Sequence, residues 1–566
     1  MSAKYVLILH THLPWVLSHG NWPHGEDWLM EAIAECYVPL LDSMNKLIDE
    51  GISPQITLDI SPVLCEQLAD TQTPAKFLQY CKEKIASAKA DTVRFKVNGE
   101  DLHKVYLSEW WADWYQKIAD SFVEKHSSSV INSLKQLQDN GHIEIMTCGA
   151  THGYLPLLGF DASDYLQIRT AVENYIKHFG KAPRGIWLPE CAYRPAYNWK
   201  SEIPVAPFNQ YKLRKGVEEI LAEHNLEYFV TDENLLEGSN FLGWYGNKEK
   251  TYFVDKDHHK HNFNPSPFKL FNVASNKQTV DKTAAIFTRS NDLSLKVWSG
   301  EIGYPGEPAY LDFHKKQDTS MLRYWRVTDV KADMQYKDLY HPDWVEEKTN
   351  LQTNHYIKQL ETAAYDYEKV TGEQAIICTP FDTELFGHWW FEGVMFIEHL
   401  LRGLHHSPAI HSTKAGLALD QVKPMEIISL PEGSWGENNN HDVWSNPSNY
   451  WTWEQIYNCE LRFSKLIFAT GTQLENKLLE RVLLQTMREL MLLHSSDWQF
   501  LISNESAIDY ASMRFNYHLS DFNRLALLAE KLEANAIADT TELNYLVECE
   551  KRNSIFPELK LNWWRS

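Results

Sequence analysis

The sequence predicts an α/β fold: a parallel barrel of seven strands with an inserted helical subdomain, followed by a C-terminal α-helical domain. Three observations predict it. Seven short apolar runs rich in β-branched residues recur along the first two-thirds of the 566 residues, most of them separated by stretches long enough for a returning helix. Ionisable or polar residues follow each run directly. After about Pro424 the periodicity becomes helical. Alternating strand and helix argue for a parallel sheet, and seven strands for a barrel that closes with one fewer than eight.

In chain order, Tyr5–Leu9 runs into His10 and His12, and Leu29–Glu50 is long enough to return. Gln55–Leu58 ends on Asp59. About 70 residues then intervene before the third strand, with helical spacing in Ser108–Ser127 and Ser129–Asp139; residues 66–140 read as an inserted helical subdomain. Ile143–Thr147 leads towards His152, Asp164–Phe179 returns, and Gly185–Leu188 leads to Glu190. Glu227–Thr231 ends at Asp232 and Glu233, Ala284–Thr288 at Arg289, and Ala375–Thr379 before Asp382 and Glu384. In a parallel barrel these exits share one mouth, where active sites are built. Loops are polar in any case, but seven ionisable clusters on one mouth exceed what solvation demands.

Residues 235–282 show no sustained period and are rich in Gly, Asn, Pro and Tyr, which predicts a lid-like loop. His258, His259 and His261 inside it read as solvated loop residues ahead of a metal site. Beyond Pro424, Thr472 with Glu475 has a capping-box pattern ahead of Leu474, Leu478 and Val482. Ala507–Asn535 and Thr541–Arg552 continue the helical run. The expected division is a catalytic barrel over 1–423 and a helical domain over 424–566 that completes the substrate groove.

Composition narrows the function. The net charge of −22 repels phosphate backbones and acidic membranes, and no apolar run reaches the length of a membrane span. The eight cysteines contain no C-x-x-C, and with no signal peptide at the start they read as reduced buried thiols of a cytoplasmic protein. Aromatic residues make up 13% of the chain, with 21 Trp whose broad faces suit sugar rings as well as cores.

His10 and His12, at i and i+2, face the same way. They suit a metal centre completed by another His and a carboxylate, or a pair of hydrogen-bond donors to a polar substrate. Glu190 and Asp382 suggest a different chemistry. Two carboxyl groups flanking a glycosidic bond suffice to cleave it, one as nucleophile or base and one as acid. Either alone could equally be half of an ion pair.

HTHLPW at 10–15, ATHGYLPLL at 150–158, WLPECAY at 187–193, PFDTELFGHWWFEG at 380–393 and HSSDWQFL at 494–501 together carry a resemblance. With RSNDLSLKVWSGEIGYPG at 289–306 and GSWGENNNHDVW at 433–444, the chain resembles glycoside hydrolase family 57, in particular its 1,4-α-glucan branching enzymes. The blocks keep their order almost end to end. The resemblance implies an incomplete (β/α)7 barrel, a retaining double displacement and no required metal or other cofactor. It implies Glu190 as nucleophile and Asp382 as acid/base. It makes His10, His12, His152, Arg289, Asp497 and Trp498 substrate-contacting or site-shaping. Trp22, Trp298, Trp435 and Trp444 match aromatic positions of the glucan groove, and a loop tyrosine that favours transfer has Tyr245 and Tyr252 as candidates. The implied partner is an α-glucan chain (amylose, glycogen or amylopectin-like), handled by a monomer or weak homo-oligomer. An α-amylase-like hydrolase on the same scaffold, a silent polyglucan-binding protein and, more distantly, a metal-dependent deacetylase are the competing readings.

Overall fold

In a computed structural model, which describes residues 2–21, 24–246, 250–253, 263–472 and 474–564, all seven expected strands form. They are β1 (Ala3–Thr11), β2 (Ile56–Ile60), β3 (Ile143–Cys148), β4 (Gly185–Trp187), β5 (Tyr228–Asp232), β6 (Ala284–Arg289) and β7 (Ile376–Asp382). Neighbours pair in parallel in the order β7-β1-β2-β3-β4-β5-β6. The ring closes at a single register pair, Arg289 of β6 with Cys378 of β7. Below that pair the two strands part. The gap is taken by Phe271–Val273, antiparallel to β6, while the Phe268 carbonyl accepts the Ile376 N–H at 2.9 Å.

Register places chemistry in a row. His10 of β1 lies level with Asp59 of β2 on one side and Asp382 of β7 on the other. Residues level on adjacent parallel strands point to the same face, so these three groups project together. The next pair of strands repeats the arrangement with Asp232 level with Arg289.

The 66–140 insertion is helical, as expected, over Pro62–Ala69, Thr73–Asn98, Leu102–Glu124 and Val130–Asp139. Thr73–Asn98 escapes a reading by periodicity because its buried apolar and aromatic positions (Phe77, Tyr80, Cys81, Ala88, Phe95) are sparse over 26 residues. Packing supplies what local pattern lacks: Phe77 meets Phe122 of the neighbouring helix edge-on at 4.6 Å.

The stretch 235–282 differs from expectation. It contains the strands Asn240–Gly246, Lys250–Phe253 and Phe271–Val273, which with Glu426–Ser429 extend the barrel sheet. Short strands interrupted by Gly, Asn and Pro lose their alternation, so tertiary pairing decides them. His258, His259 and His261 lie outside the described residues, as does Trp22.

Beyond residue 449 the chain is helical over Tyr450–Thr470, Lys477–Leu493, Asp497–Ser503, Ile508–Glu533 and Thr540–Arg552. The second of these is not capped by Thr472 and Glu475. Asn476 caps it, its side chain accepting from the N–H groups of Leu478 and Leu479. A true capping box forms instead at Asp539 and Glu542. The helices lie directly on the barrel: Glu460 accepts the Gly159 N–H at 2.9 Å, and His152 O accepts the Ser496 N–H at 3.0 Å. Among the described residues no helix is long and apolar enough to cross a membrane.

Candidate active site

Glu190 and Asp382 stand at the exits of β4 and β7. Glu190 has left-handed backbone angles, φ 61° and ψ 26°, and Cys191 follows at φ 48°. Non-glycine residues adopt this region only when their surroundings hold them there. Here the Cys191 and Ala192 N–H groups donate back to Leu188 and Pro189, and Trp435 N–H donates to the Glu190 carbonyl. The strained turn aims the carboxyl group at the mouth. Trp435 Nε1–H donates to Oε2 at 2.9 Å, and Ser496 Oγ lies 3.2 Å from Oε1.

Burial pushes both carboxyl groups up. Glu190 rises to about 7, the Trp435 hydrogen bond opposing burial and the Asp382 charge adding to it. Asp382 rises to about 8, through burial and then the neighbouring Glu384, with Arg289 opposing. The pair is therefore asymmetric. Glu190 has donors that favour its anion, while Asp382 sits beside another acid and holds its proton to higher pH.

The histidines form a stack beneath this pair. His12 lies over His152 at 3.9 Å between centroids, and His10 over Trp187 at 4.7 Å. His10 Nδ1 pairs with Asp59 Oδ2 and its Nε2 with His152 Nε2 at 3.1 Å. His12 Nδ1 pairs with Ser61 at 2.8 Å and Nε2 with Asp497 at 3.0 Å. His152 Nδ1 pairs with Ser496 at 2.7 Å and approaches Glu190 at 3.8 Å. Both nitrogens of His10 and His12 are thus engaged by protein groups, which is the site-shaping arrangement among the two that the resemblance allows them. Burial opposes ionisation of Asp497, but His12, His152 and Ser495 outweigh it and hold its carboxyl down at about 2.

Donor atoms of His12, His152 and Asp497 fall within 4.8 Å of one another, as do those of His10, Cys148 and His152. The imidazole nitrogens in both sets are spent on the hydrogen bonds just described. A cation would have to take the place of those contacts.

Of the expected tryptophans, Trp298 is 45% exposed and lies 6.3 Å from Trp435, which Arg289 caps at 5.7 Å. Arg289 also approaches Asp232 at 3.4 Å and donates to Asn291. Trp444 and Trp498 are different. Trp444 is buried and stacked on Tyr154 at 4.8 Å, and Trp498 is buried with Nε1–H donating to Leu492 O at 2.8 Å. Both are core residues behind the site and offer no face to a ligand. Tyr245 is also displaced from its expected role. Its hydroxyl is fixed to Val280 O and Thr283, next to the N-terminal end of β6 and away from the mouth. The Tyr252 side chain lies outside the described residues.

Several site residues carry no signal of their own in the sequence. Ser496 and Ser61 look like any serine. Tyr37, whose hydroxyl donates to the buried Glu384, sits in mid-helix 347 residues away, too distant in sequence to connect. Trp389, from the same block as Asp382, is 55% exposed and stacked in parallel on Phe313 at 5.0 Å.

A seven-stranded barrel with two carboxyl groups at its mouth and a helical region bearing on the site matches one family along most of its length. Residues 6–431 match the model of glycosyl hydrolase family 57, and residues 455–564 match that of the 1,4-alpha-glucan branching enzyme C-terminal region. The chain belongs to glycosyl hydrolase family 57. It is 36% identical to a 1,4-alpha-glucan branching enzyme of Thermococcus kodakarensis over 98% of this chain and 78% of that one. A crystal structure of the GH57-type branching enzyme of Pyrococcus horikoshii superposes with a TM-score of 0.88 at 35% identity, covering 100% of this chain and 97% of the other. The α-amylase AmyC of Thermotoga maritima superposes at 0.79 with 27% identity, each chain fully covered.

Proposed function

We propose that this protein is a glucan branching enzyme that cleaves α-1,4 linkages and rejoins the cut chain to a 6-hydroxyl by retaining double displacement. The observation that carries the reading is the asymmetric carboxyl pair at the barrel mouth. Glu190, supported by the Trp435 and Ser496 donors, attacks the anomeric carbon as a carboxylate. Asp382, kept protonated by burial and by Glu384, gives its proton to the departing 4-oxygen. The same group then takes the proton of the incoming 6-hydroxyl as the glycosyl ester is broken. A retaining geometry requires the two carboxyl groups to sit about 5–5.5 Å apart, a spacing open to direct measurement in a crystal of the protein.

Transfer needs an acceptor that beats water. Effective molarities of about 10⁵ M or more are available to a well-positioned hydroxyl, and aromatic faces supply positioning. The neighbouring rings of Trp298 and Trp435 support this reading, and the similarity to named branching enzymes favours transfer over hydrolysis. Likeness to an α-amylase keeps hydrolysis as the second reading. The eight buried free cysteines support a reducing compartment, the cytoplasm, and we read the protein as a monomer or weak homo-oligomer acting on amylose- or glycogen-like chains. We divide it into a barrel over 1–423 and a helical domain over 424–566. Incubation with amylose tests the activity. Reducing ends should stay nearly constant and rise only after enzymatic debranching. Reducing ends that rise bond for bond with cleavage would establish the hydrolase instead.

A further inference from the structure

We propose that Asp59 is a positioning residue for Glu190: it holds its proton and heads a hydrogen-bond chain through His10, His152 and Ser496 that keeps the Glu190 oxygen an acceptor. This rests on the reading of Glu190 as nucleophile. The links are continuous: Asp59 Oδ2 to His10 Nδ1, His10 Nε2 to His152 Nε2 at 3.1 Å, His152 Nδ1 to Ser496 Oγ at 2.7 Å, and Ser496 Oγ to Glu190 Oε1 at 3.2 Å.

Two directions are possible for such a chain when both imidazoles are neutral, since each ring then has one donor and one acceptor nitrogen. If Asp59 is ionised, His10 carries its proton on Nδ1 and accepts at Nε2. His152 must then donate from Nε2 and accept at Nδ1, so Ser496 turns its O–H to His152. Glu190 Oε1 faces a serine lone pair and is satisfied only by carrying a proton itself. If Asp59 is protonated, every link reverses, and the Ser496 O–H points at Glu190. The chain therefore lets one proton reside at either end, and the carboxyl at the other end is the anion.

Burial decides which end. Asp59 is fully buried, and its Oδ1 has no hydrogen-bond partner among the described residues. An anion there would leave an unsolvated charged oxygen, the costliest arrangement a buried carboxyl can take. The ionisable groups around it are His10, Glu384 and the Cys148 and Cys65 thiols, none of them a fixed cation. Glu190 by contrast is 14% exposed at its side chain and receives the Trp435 N–H. Around it stand Asp382, Asp497, His12 and His152, with Arg289 beyond Cys191. Burial also holds His10 and His152 well below the usual histidine range, and raises Asp59 well above the carboxylate range, with the charge of Glu384 adding to it.

Imidazole ¹⁵N NMR of the full-length protein, assigned with His10→Gln and His152→Gln, reads the tautomers directly. The expected result is a proton on Nε2 of His10 and on Nδ1 of His152 near neutral pH. Protons on Nδ1 of His10 and Nε2 of His152 would overturn the proposal. Asp59→Asn, whose amide can donate to His10 as the acid does, should keep kcat/KM within about threefold of wild type, whereas Asp59→Leu should lose about tenfold or more in kcat at little change in KM. A loss of about a hundredfold in Asp59→Asn would mean that the charge, not the donor, is needed. Failure of the nucleophile reading is seen separately: Glu190→Gln would then still cleave glucan, whatever the tautomers are.

Discussion

Glu190 and Asp382 differ in what their neighbours offer, and a pH profile should record it. On the roles proposed, cleavage needs Glu190 ionised and Asp382 protonated, so kcat/KM should rise through about 7 and fall above about 8, the two limbs belonging to the pair together. With a glycosyl fluoride, whose departure needs no proton, Asp382→Asn should keep the acidic limb and lose the alkaline one. An alkaline limb that survives would move the acid elsewhere. Stability follows the same group. Asp382 has a folded pKa raised from 3.8 to about 8, so its contribution is fully present below the unfolded value and is lost as pH rises through that window. The slope is about 1.4 kcal/mol per pH unit at most. Asp382→Asn should therefore raise Tm relative to wild type by more at pH 8 than at pH 5, and an equal difference at both would contradict it. Glu190 and Asp382 were legible in the sequence because strand, exit position and residue type coincide there. Asp59 was visible as a strand exit, but its bond to His10 depends on register between strands, and Ser496 depends on a domain contact across 306 residues from Glu190.

At the scale of elements, parallel strands announce themselves because both faces are buried and the apolar runs are unbroken. All seven barrel strands were legible for that reason. The added strands Asn240–Gly246 and Phe271–Val273 were not, since their pairing partner Glu426–Ser429 lies more than 150 residues further on and no local alternation marks them. This alters what the region can do. Tyr245 is a strand residue tied at its hydroxyl to Val280 and Thr283. Tyr245→Phe should cost about 1 kcal/mol or somewhat more, seen as a lower denaturation midpoint, and leave the ratio of α-1,6 linkages to reducing ends unchanged. A fall in that ratio would return Tyr245 to the transfer step. Trp298, on the helix Asn291–Trp298 that follows β6, is the contrasting case. Half-exposed beside Trp435, it has a face to give a sugar, and Trp298→Ala should raise KM for amylose about tenfold, at roughly 1–1.5 kcal/mol for one stacked ring, with the fold intact. Unchanged KM would remove it from the groove.

Across the whole molecule, the groups at the candidate site come from distant parts of the chain. The barrel supplies Glu190 and Asp382, while Trp435, Ser496 and Asp497, which brace Glu190 and the histidine stack, come from beyond residue 423. The contact between the barrel and the C-terminal helices joins a shared apolar core with buried polar groups. Glu460 is fully buried and accepts from the Gly159 N–H and the Ser163 hydroxyl, with burial raising its pKa to about 8. A Cβ at Gly159 would stand 2.4 Å from the Glu460 Oε2 and 2.6 Å from the Phe208 ring, so a larger residue would have to displace both. Such an interface ties the unfolding of one region to that of the other, since opening it exposes groups that only the partner satisfies. A calorimetric scan should therefore show one transition for the entire chain. Glu460→Gln, which resembles the protonated acid, should leave that transition nearly in place. Glu460→Ala strands two buried donors at about 1–3 kcal/mol each and should lower the single transition by a few degrees without splitting it. Two resolved transitions in the wild type, or a Glu460→Ala scan in which only one component moves, would show that the regions fold independently and meet only loosely at the site.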